Sequence, residues 1–149
     1  MSQSKNELCR IAASALKLKD ITLYGSKFER GKYDGTEGMQ EEKKGTHFNK
    51  STIETDDNEQ ELLEVLVLLG IRVVSPETDE ESENPLFAFL IEAEYIVEYE
   101  IIDDLPEDAI KAFAEFNAVH NAWPFWRQHV YDIVQKAGLP KLDVPLFTG

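Results

Sequence analysis

The chain has 149 residues, 42% of them hydrophobic, which suffices for one sizeable core and is short for two, so residues 1–149 are expected to form a single domain. Twenty-nine acids against fifteen bases give a formal charge of -14, which repels phosphate backbones and anionic lipid and attracts basic partners, so no nucleic acid ligand is expected. The opening MSQSKNELCRIAAS lacks the apolar centre of a signal peptide, and LLEVLVLLGIRVV, interrupted by Glu64 and Arg72, is too short to span a bilayer. No membrane insertion and a cytoplasmic location follow as expectations. A single cysteine, Cys9, leaves no intramolecular disulfide and no multi-cysteine zinc site.

Residues 15–24, ALKLKDITLY, predict a first strand. The next stretch, SKFERGKYDGTEGMQEEKKG, is rich in glycine and charge and predicts a loop near residues 26–45, longer than most connections in a small domain, that is either mobile or crosses over the sheet. THFNKSTIET, residues 46–55, reads as a second, more polar strand. Period two is clearest from residue 62 to 74, where Leu63, Val65, Val67, Leu69, Ile71 and Val73 share one face. It recurs from 86 to 102, with Phe87, Phe89, Ile91, Ala93, Tyr95, Val97, Tyr99 and Ile101 on one face and Glu92, Glu94, Glu98 and Glu100 on the other. At about 3.3 Å per residue this last run exceeds roughly 50 Å, so a bend or bulge is expected near its middle. The acidic, proline-flanked linker SPETDEESENP between the two runs predicts an exposed hairpin connection and hence antiparallel neighbours.

Downstream the period lengthens. DDLPEDAIKAFAEFNAVH opens with the acids and proline of a helix N-terminus and continues with Ile110, Phe113 and Phe116. A second helix is expected after Asn121, with Pro124 in its first turn, a stripe of Trp123, Trp126, Val130, Ile133, Val134 and Ala137, and a stop at Gly138. The ending LPKLDVPLFTG, with two prolines, predicts an extended segment packed along a surface. The predicted fold class is α+β: a four-stranded antiparallel sheet packed by two C-terminal helices.

The most unusual stretch is HNAWPFWRQHV, residues 120–130. The spacing of His120 and His129 fits no compact helical ligand pair and His47 is distant in the chain, so no metal site is expected. The chain carries no GxSxG, HExxH, P-loop or GxGxxG pattern, and its paired acids lie on what reads as a solvated sheet face, so no catalytic residues and no cofactor are expected. Trp123, Trp126 and Val130 read most simply as core, since each buried aromatic removes about 150–250 Å² from water. Phe125, Tyr24 and Phe28 fall outside that stripe, and surplus aromatics beside a sheet edge point either to an apolar groove for extended peptide or to ordinary packing and a subunit interface.

KDITL near the start, LLEVLVLLGIRVV, FAFLIEAEY and above all WPFWRQHVYDIVQKAGLPKLDVPLF, in this order, resemble the SecB chaperone family from about residue 11 to residue 147. The resemblance implies an ATP-independent holdase that binds non-native polypeptide in long apolar grooves, usually as a homotetramer built as a dimer of dimers. In export members an aspartate of the first strand and a leucine and glutamate of a later one dock a basic tail of the SecA motor. The matching positions here are Asp20, Leu90 and Glu92. Two departures shift the expectation toward a dedicated antitoxin chaperone of a toxin–antitoxin system: Tyr24 stands where export members carry a second acid, and the sequence ends at Gly149 where they continue into another helix and a tail.

The expected client-lining residues are Leu23, Tyr24, Phe28, Phe113, Trp123 and Phe125, and helix pairing between subunits is expected to bury Phe116 or Trp126. Two alternatives stand beside the chaperone reading: an interaction module for one specific partner, and a small α+β enzyme betrayed by a buried carboxylate or histidine converging on a pocket.

Overall fold

The structure, a computed structural model, describes residues 4–34, 37–76 and 86–147. It opens with a helix that the sequence patterns above did not predict, α1 (Lys5–Ala15), started by Ser4, whose hydroxyl accepts from the Glu7 N–H at 3.2 Å. Leu8, Ile11, Ala12 and Ala15 line its inner face, which packs against a helix near the other end of the chain.

Four strands come next: β1 (Leu16–Arg30), β2 (Met39–Thr55), β3 (Asn58–Val74) and β4 (Phe87–Ile101). They form one antiparallel sheet in the order β1-β4-β3-β2, a Greek key in which β2, β3 and β4 are successive neighbours and β1 returns beside β4. The hairpin pairing of the two long apolar runs is as expected, although most of the linker between them, residues 77–85, lies outside the described residues.

The loop expected near residues 26–45 is shorter than that. Ser26–Arg30 extends β1 against Phe89–Ala93, and Met39–Gly45 opens β2 against Leu68–Val74, because each gains a full row of backbone hydrogen bonds despite its charge. The connection between them does cross over, carrying the chain from one sheet edge to the other past the ends of β4 and β3. It hugs the sheet on the way, with Gly31 N–H on the Ala88 carbonyl at 2.8 Å and Tyr33 N–H on the Phe87 carbonyl at 3.0 Å. A Cβ at Gly31 would collide with that same Phe87 carbonyl, which explains the glycine.

The bulge expected near the middle of the last strand is not there: two register shifts fall in its partner β1, between Leu18 and Asp20 and between Leu23 and Gly25, and a third lies at the start of β4, where Val73 and Val74 pair with Phe89 and Phe87 and leave Ala88 as the extra residue. An extra residue in an edge strand lets a long ribbon twist without disturbing the central ladder.

The helical part also differs from expectation. α2 (Glu107–Phe113) passes through a π-helical turn, Ala114–Ala118, into α3 (Val119–Lys136) with helical torsions throughout, so the chain does not restart at Pro124. Pro124 lies inside α3 on the solvent side, where the His120 carbonyl it leaves without a backbone donor can be hydrated. Gly138, at φ 65, ends the run, and residues 139–147 return in extended form along α3.

The core lies between the sheet and this helical run. Leu63, Val65, Val67, Leu69 and Ile71 of β3 and alternate residues from Phe89 to Tyr99 of β4 meet Ile110, Phe113, Val119, Trp126 and Val130. Full burial of such side chains is worth about 1.5–3 kcal/mol each, so this alternation sets the register of the two central strands.

Candidate functional site

β1 is an edge strand whose apolar residues change phase along the chain, and the two bulges correct the phase. Leu18, Ile21, Leu23 and Phe28 stand opposite Tyr99, Val97, Tyr95 and Ile91, all buried on the helix-covered side of β4. The helical run, however, packs over β2, β3 and β4. The β1 row therefore continues the core face beyond its cover: Leu23 is 48% exposed, and Leu18 and Phe28 are also exposed. From the partners of Leu18 to those of Phe28 the row extends roughly 26 Å at about 3.3 Å per residue. Tyr24, at the second bulge, is exposed beside it. Single exposed hydrophobics are ordinary, but a continuous row on the inner face of an open edge marks a contact surface.

The six residues expected to line a groove divide accordingly. Leu23, Tyr24 and Phe28 lie along β1, and Phe125, on α3, is 54% exposed. Phe113 and Trp123 have little surface left to offer a client, at 5% and 9% exposure. Phe113 packs edge-on against Tyr99 with centroids 4.9 Å apart, while the Trp123 indole donates to the Pro145 carbonyl at 2.7 Å. Each sits on the inward phase of its helix with its neighbours Ile110 and Trp126. Leu18 and Ile21 were missed, although Leu16-x-Leu18 already alternates with lysine. Of the two residues expected between subunits, Trp126 belongs to the core of this chain and Phe116 remains exposed.

The extended C-terminal segment is held by side chains of α3. Arg127 Nε donates to the Val144 carbonyl at 2.6 Å, and the Tyr131 hydroxyl bonds both the Val144 carbonyl, at 3.2 Å, and its N–H, at 3.3 Å. From the sheet side Gln40 Nε2 reaches the Asp143 carbonyl at 3.2 Å. Leu142 and Val144 point inward and are buried. A cleft of about 460 Å³ opens between the start of this segment, Leu139–Leu142, and the crossover residues Arg30, Gly31, Tyr33 and Gly38.

No family model matches the sequence, and no curated protein matches it. Among solved structures, the Mycobacterium tuberculosis SecB-like chaperone Rv1957, in complex with a ChAD peptide from the Rv1956 HigA1 antitoxin, superposes with a TM-score of 0.66 over 97% of this chain and 96% of that one. The fold is SecB-like. At 14% identity the likeness is one of fold, and residue roles must come from the geometry of this chain.

On the outer face of this SecB-like sheet, Asp20 lies opposite Glu98, while Leu90 and Glu92 lie on the same face of β4. The three share a face without forming a cluster, since Glu98 and Glu92 are separated along β4 by roughly 20 Å at about 3.3 Å per residue. Two of the carboxylates already have partners: Glu92 meets Lys43 Nζ at 3.2 Å, and Asp20 Oδ1 accepts its neighbour Ile21 N–H at 2.9 Å. Arg72 and Glu41 and, farther along, Lys19 and Glu98 add cross-strand pairs. Such exposed pairs contribute little stability each, but they temper the acidity of the face. Among the described residues no helix is long and apolar enough to cross a membrane, and no group of three or more histidine, cysteine, aspartate or glutamate side chains is placed to hold a metal.

His129 packs beside Trp126 with centroids 6.4 Å apart, and its Nε2 is buried without a hydrogen-bond partner among the described residues. Burial lowers its pKa, Lys136 adds to the lowering, and Asp132 opposes it. With a folded pKa below the unfolded value of about 6.5, the unfolded chain binds more protons in between. The contribution is thus fully present above about pH 6.5 and is lost as pH falls through the folded value. Thermal melts are expected to drop as pH falls below about 6.5, and His129→Gln is expected to flatten that part of the profile.

Proposed function

We propose that this chain is an ATP-independent chaperone-like protein that binds an extended, aggregation-prone segment of a client through the apolar row of β1 with Tyr24 and Phe125, without covalent chemistry. The observation that carries the reading is the row Leu18, Ile21, Leu23 and Phe28, continuous with the core face, in which Ile21 is half-buried and Leu18, Leu23 and Phe28 stand open to solvent. A strand with free backbone groups and alternate apolar side chains suits an extended peptide, whose main chain supplies affinity and whose side chains supply specificity. The fold-level neighbour, solved with an antitoxin peptide, makes an antitoxin-type segment the favoured client class. The same reading takes the chain as a single cytoplasmic domain that assembles as a dimer of dimers with Phe116 at a subunit contact. It takes the outer sheet face, with Asp20, Leu90 and Glu92, as a docking face for a basic tail such as that of SecA.

The second reading is a module dedicated to one partner, favoured by Tyr24 in place of an acid on that docking strand. Light scattering separates the two. Purified protein at near-stoichiometric ratio, without ATP, is expected to suppress aggregation of several unrelated chemically unfolded proteins. Suppression of none of them, with tight binding of one partner, establishes the dedicated module instead.

A further inference from the structure

Beyond Val144 the hold on the C-terminal segment changes character. Leu142 and Val144 are core residues fixed by Arg127 and Tyr131, whereas Pro145 is exposed and Leu146 is 70% exposed. What retains this last part is the Trp123 indole on the Pro145 carbonyl and the ring of Phe147. That ring lies in a slot of other aromatic groups: Trp123 at 5.2 Å, Phe116 at 5.8 Å and His120 at 6.2 Å between centroids. Lys44 Nζ, on the helix-facing side of β2, sits 5.2 Å from the ring centre. Beside the slot a cavity of about 250 Å³ runs between Trp123, Trp126 and Leu69 and the Pro145–Phe147 stretch, leaving room for a further side chain.

We infer that this aromatic slot is a peptide subsite filled in cis by Phe147, and that a client segment of the same chemistry, an extended proline-containing stretch carrying an aromatic residue, exchanges with it. The inference rests on the reading of the chain as a peptide binder and names a second contact for the same client. Three features of the slot match such an occupant. An indole N–H presented to a main-chain carbonyl reads any extended backbone, and tolerates proline because it asks for no N–H in return. A ring-lined cavity with an ammonium over one face favours an aromatic side chain over an aliphatic one of similar size. Among the described residues the resident Pro-Leu-Phe stretch makes no backbone-to-backbone hydrogen bond that a competitor must break. Its two inner anchors, Leu142 and Val144, stay in place when only the outer three residues lift, so exchange leaves the core closed. Phe116, which is exposed yet stacks on His120 and faces Phe147, serves as one wall of the subsite.

The test uses the full-length protein and a blocked synthetic heptapeptide with the sequence of residues 141–147, KLDVPLF, alongside KLDVPLA. In Phe147→Ala, saturating KLDVPLF is expected to shift the Trp123 indole N–H resonance, and KLDVPLA is expected to leave it unmoved. There the slot has lost its resident ring. A resident that fills the slot about nine-tenths of the time weakens apparent affinity about tenfold, so the variant is expected to bind KLDVPLF about tenfold more tightly than wild type. Phe147→Leu, which keeps apolar bulk, provides the same comparison if the alanine variant does not fold. Binding no tighter than wild type in a folded variant, or an unmoved Trp123 resonance at saturating peptide, overturns the inference. Leu23→Asp separates this outcome from failure of the chaperone reading: it is expected to weaken binding of unfolded clients about a hundredfold while leaving the heptapeptide affinity unchanged.

Discussion

Leu23→Asp is expected to abolish suppression of client aggregation and to weaken client binding about a hundredfold, while the protein stays folded. Leu23 is 48% exposed, so the part of its surface already buried in the free chain is worth about 1 kcal/mol, roughly half of what full burial gives. Its contribution to a complex is larger, because a client covers the remainder and a carboxylate placed there must be desolvated. A combined change of about 3 kcal/mol in binding corresponds to two orders of magnitude in Kd. The control is its neighbour Thr22, which pairs with Ile96 and so lies on the outer face of the same strand. Thr22→Asp adds the same charge one residue away and is expected to bind clients as the wild type does. Isothermal titration with a reduced, unfolded client and a thermal melt of each variant check both halves. Equal loss in the two variants would point to charge, and no loss in Leu23→Asp would remove the β1 row from the site.

What the sequence could disclose depended on whether a pattern was local. β3 and β4 were legible because a strict two-residue period persists over many residues, and no helix can bury Leu63, Val65, Val67 and Leu69 on one side. The sharing of one face by Leu90 and Glu92 followed from the same parity. α1 was equally local, yet it was overlooked: Ser4 and Glu7 have the spacing of a capping box, and Leu8, Ile11, Ala12 and Ala15 recur at helical intervals. Its small alanine-rich face gives a weak signal beside the adjoining strand.

The bulges of β1 are a different case. They exist because the strand must track the twist of β4, a tertiary demand that leaves no mark in LKLKDITLYGSKFER. Without them, even-numbered Leu18 and Phe28 and odd-numbered Ile21 and Leu23 cannot be assigned to one face. The row that carries the proposed function was therefore visible only as separate residues. The π-helical turn had a similar effect on the helix. Ile110, Phe113 and Phe116 read as one inward stripe, but a π turn inserts one residue and rotates the downstream side chains by about 100° relative to a regular helix. Phe113 stays inside and Phe116 is turned outward, toward Phe147.

Pro124 provides the second large effect, with the opposite sign. It lies inside α3, where it removes one backbone hydrogen bond and crowds the His120 carbonyl, an arrangement that costs about 3 kcal/mol relative to alanine in a regular helix interior. Its ring is exposed and contributes little burial in return. Pro124→Ala is accordingly expected to stabilise the chain by about 1–3 kcal/mol, which raises the melting temperature by roughly 3–10 °C for a domain of this length. Calorimetry gives the magnitude, and hydrogen exchange at the new amide reports whether the bond to His120 has formed. A proline inside a helix bends its path, and the residues adjoining this one are Trp123, Phe125 and Trp126. If restoring the hydrogen bond straightens α3, Phe125 is expected to move relative to the β1 row and Trp123 relative to Pro145. If the bend shapes the client surface, Pro124→Ala gains stability and loses client affinity together. A stabler variant with unchanged affinity would assign the bend to packing alone, and a lower melting temperature would mean that the proline ring supports the helix through contacts its exposure does not reveal.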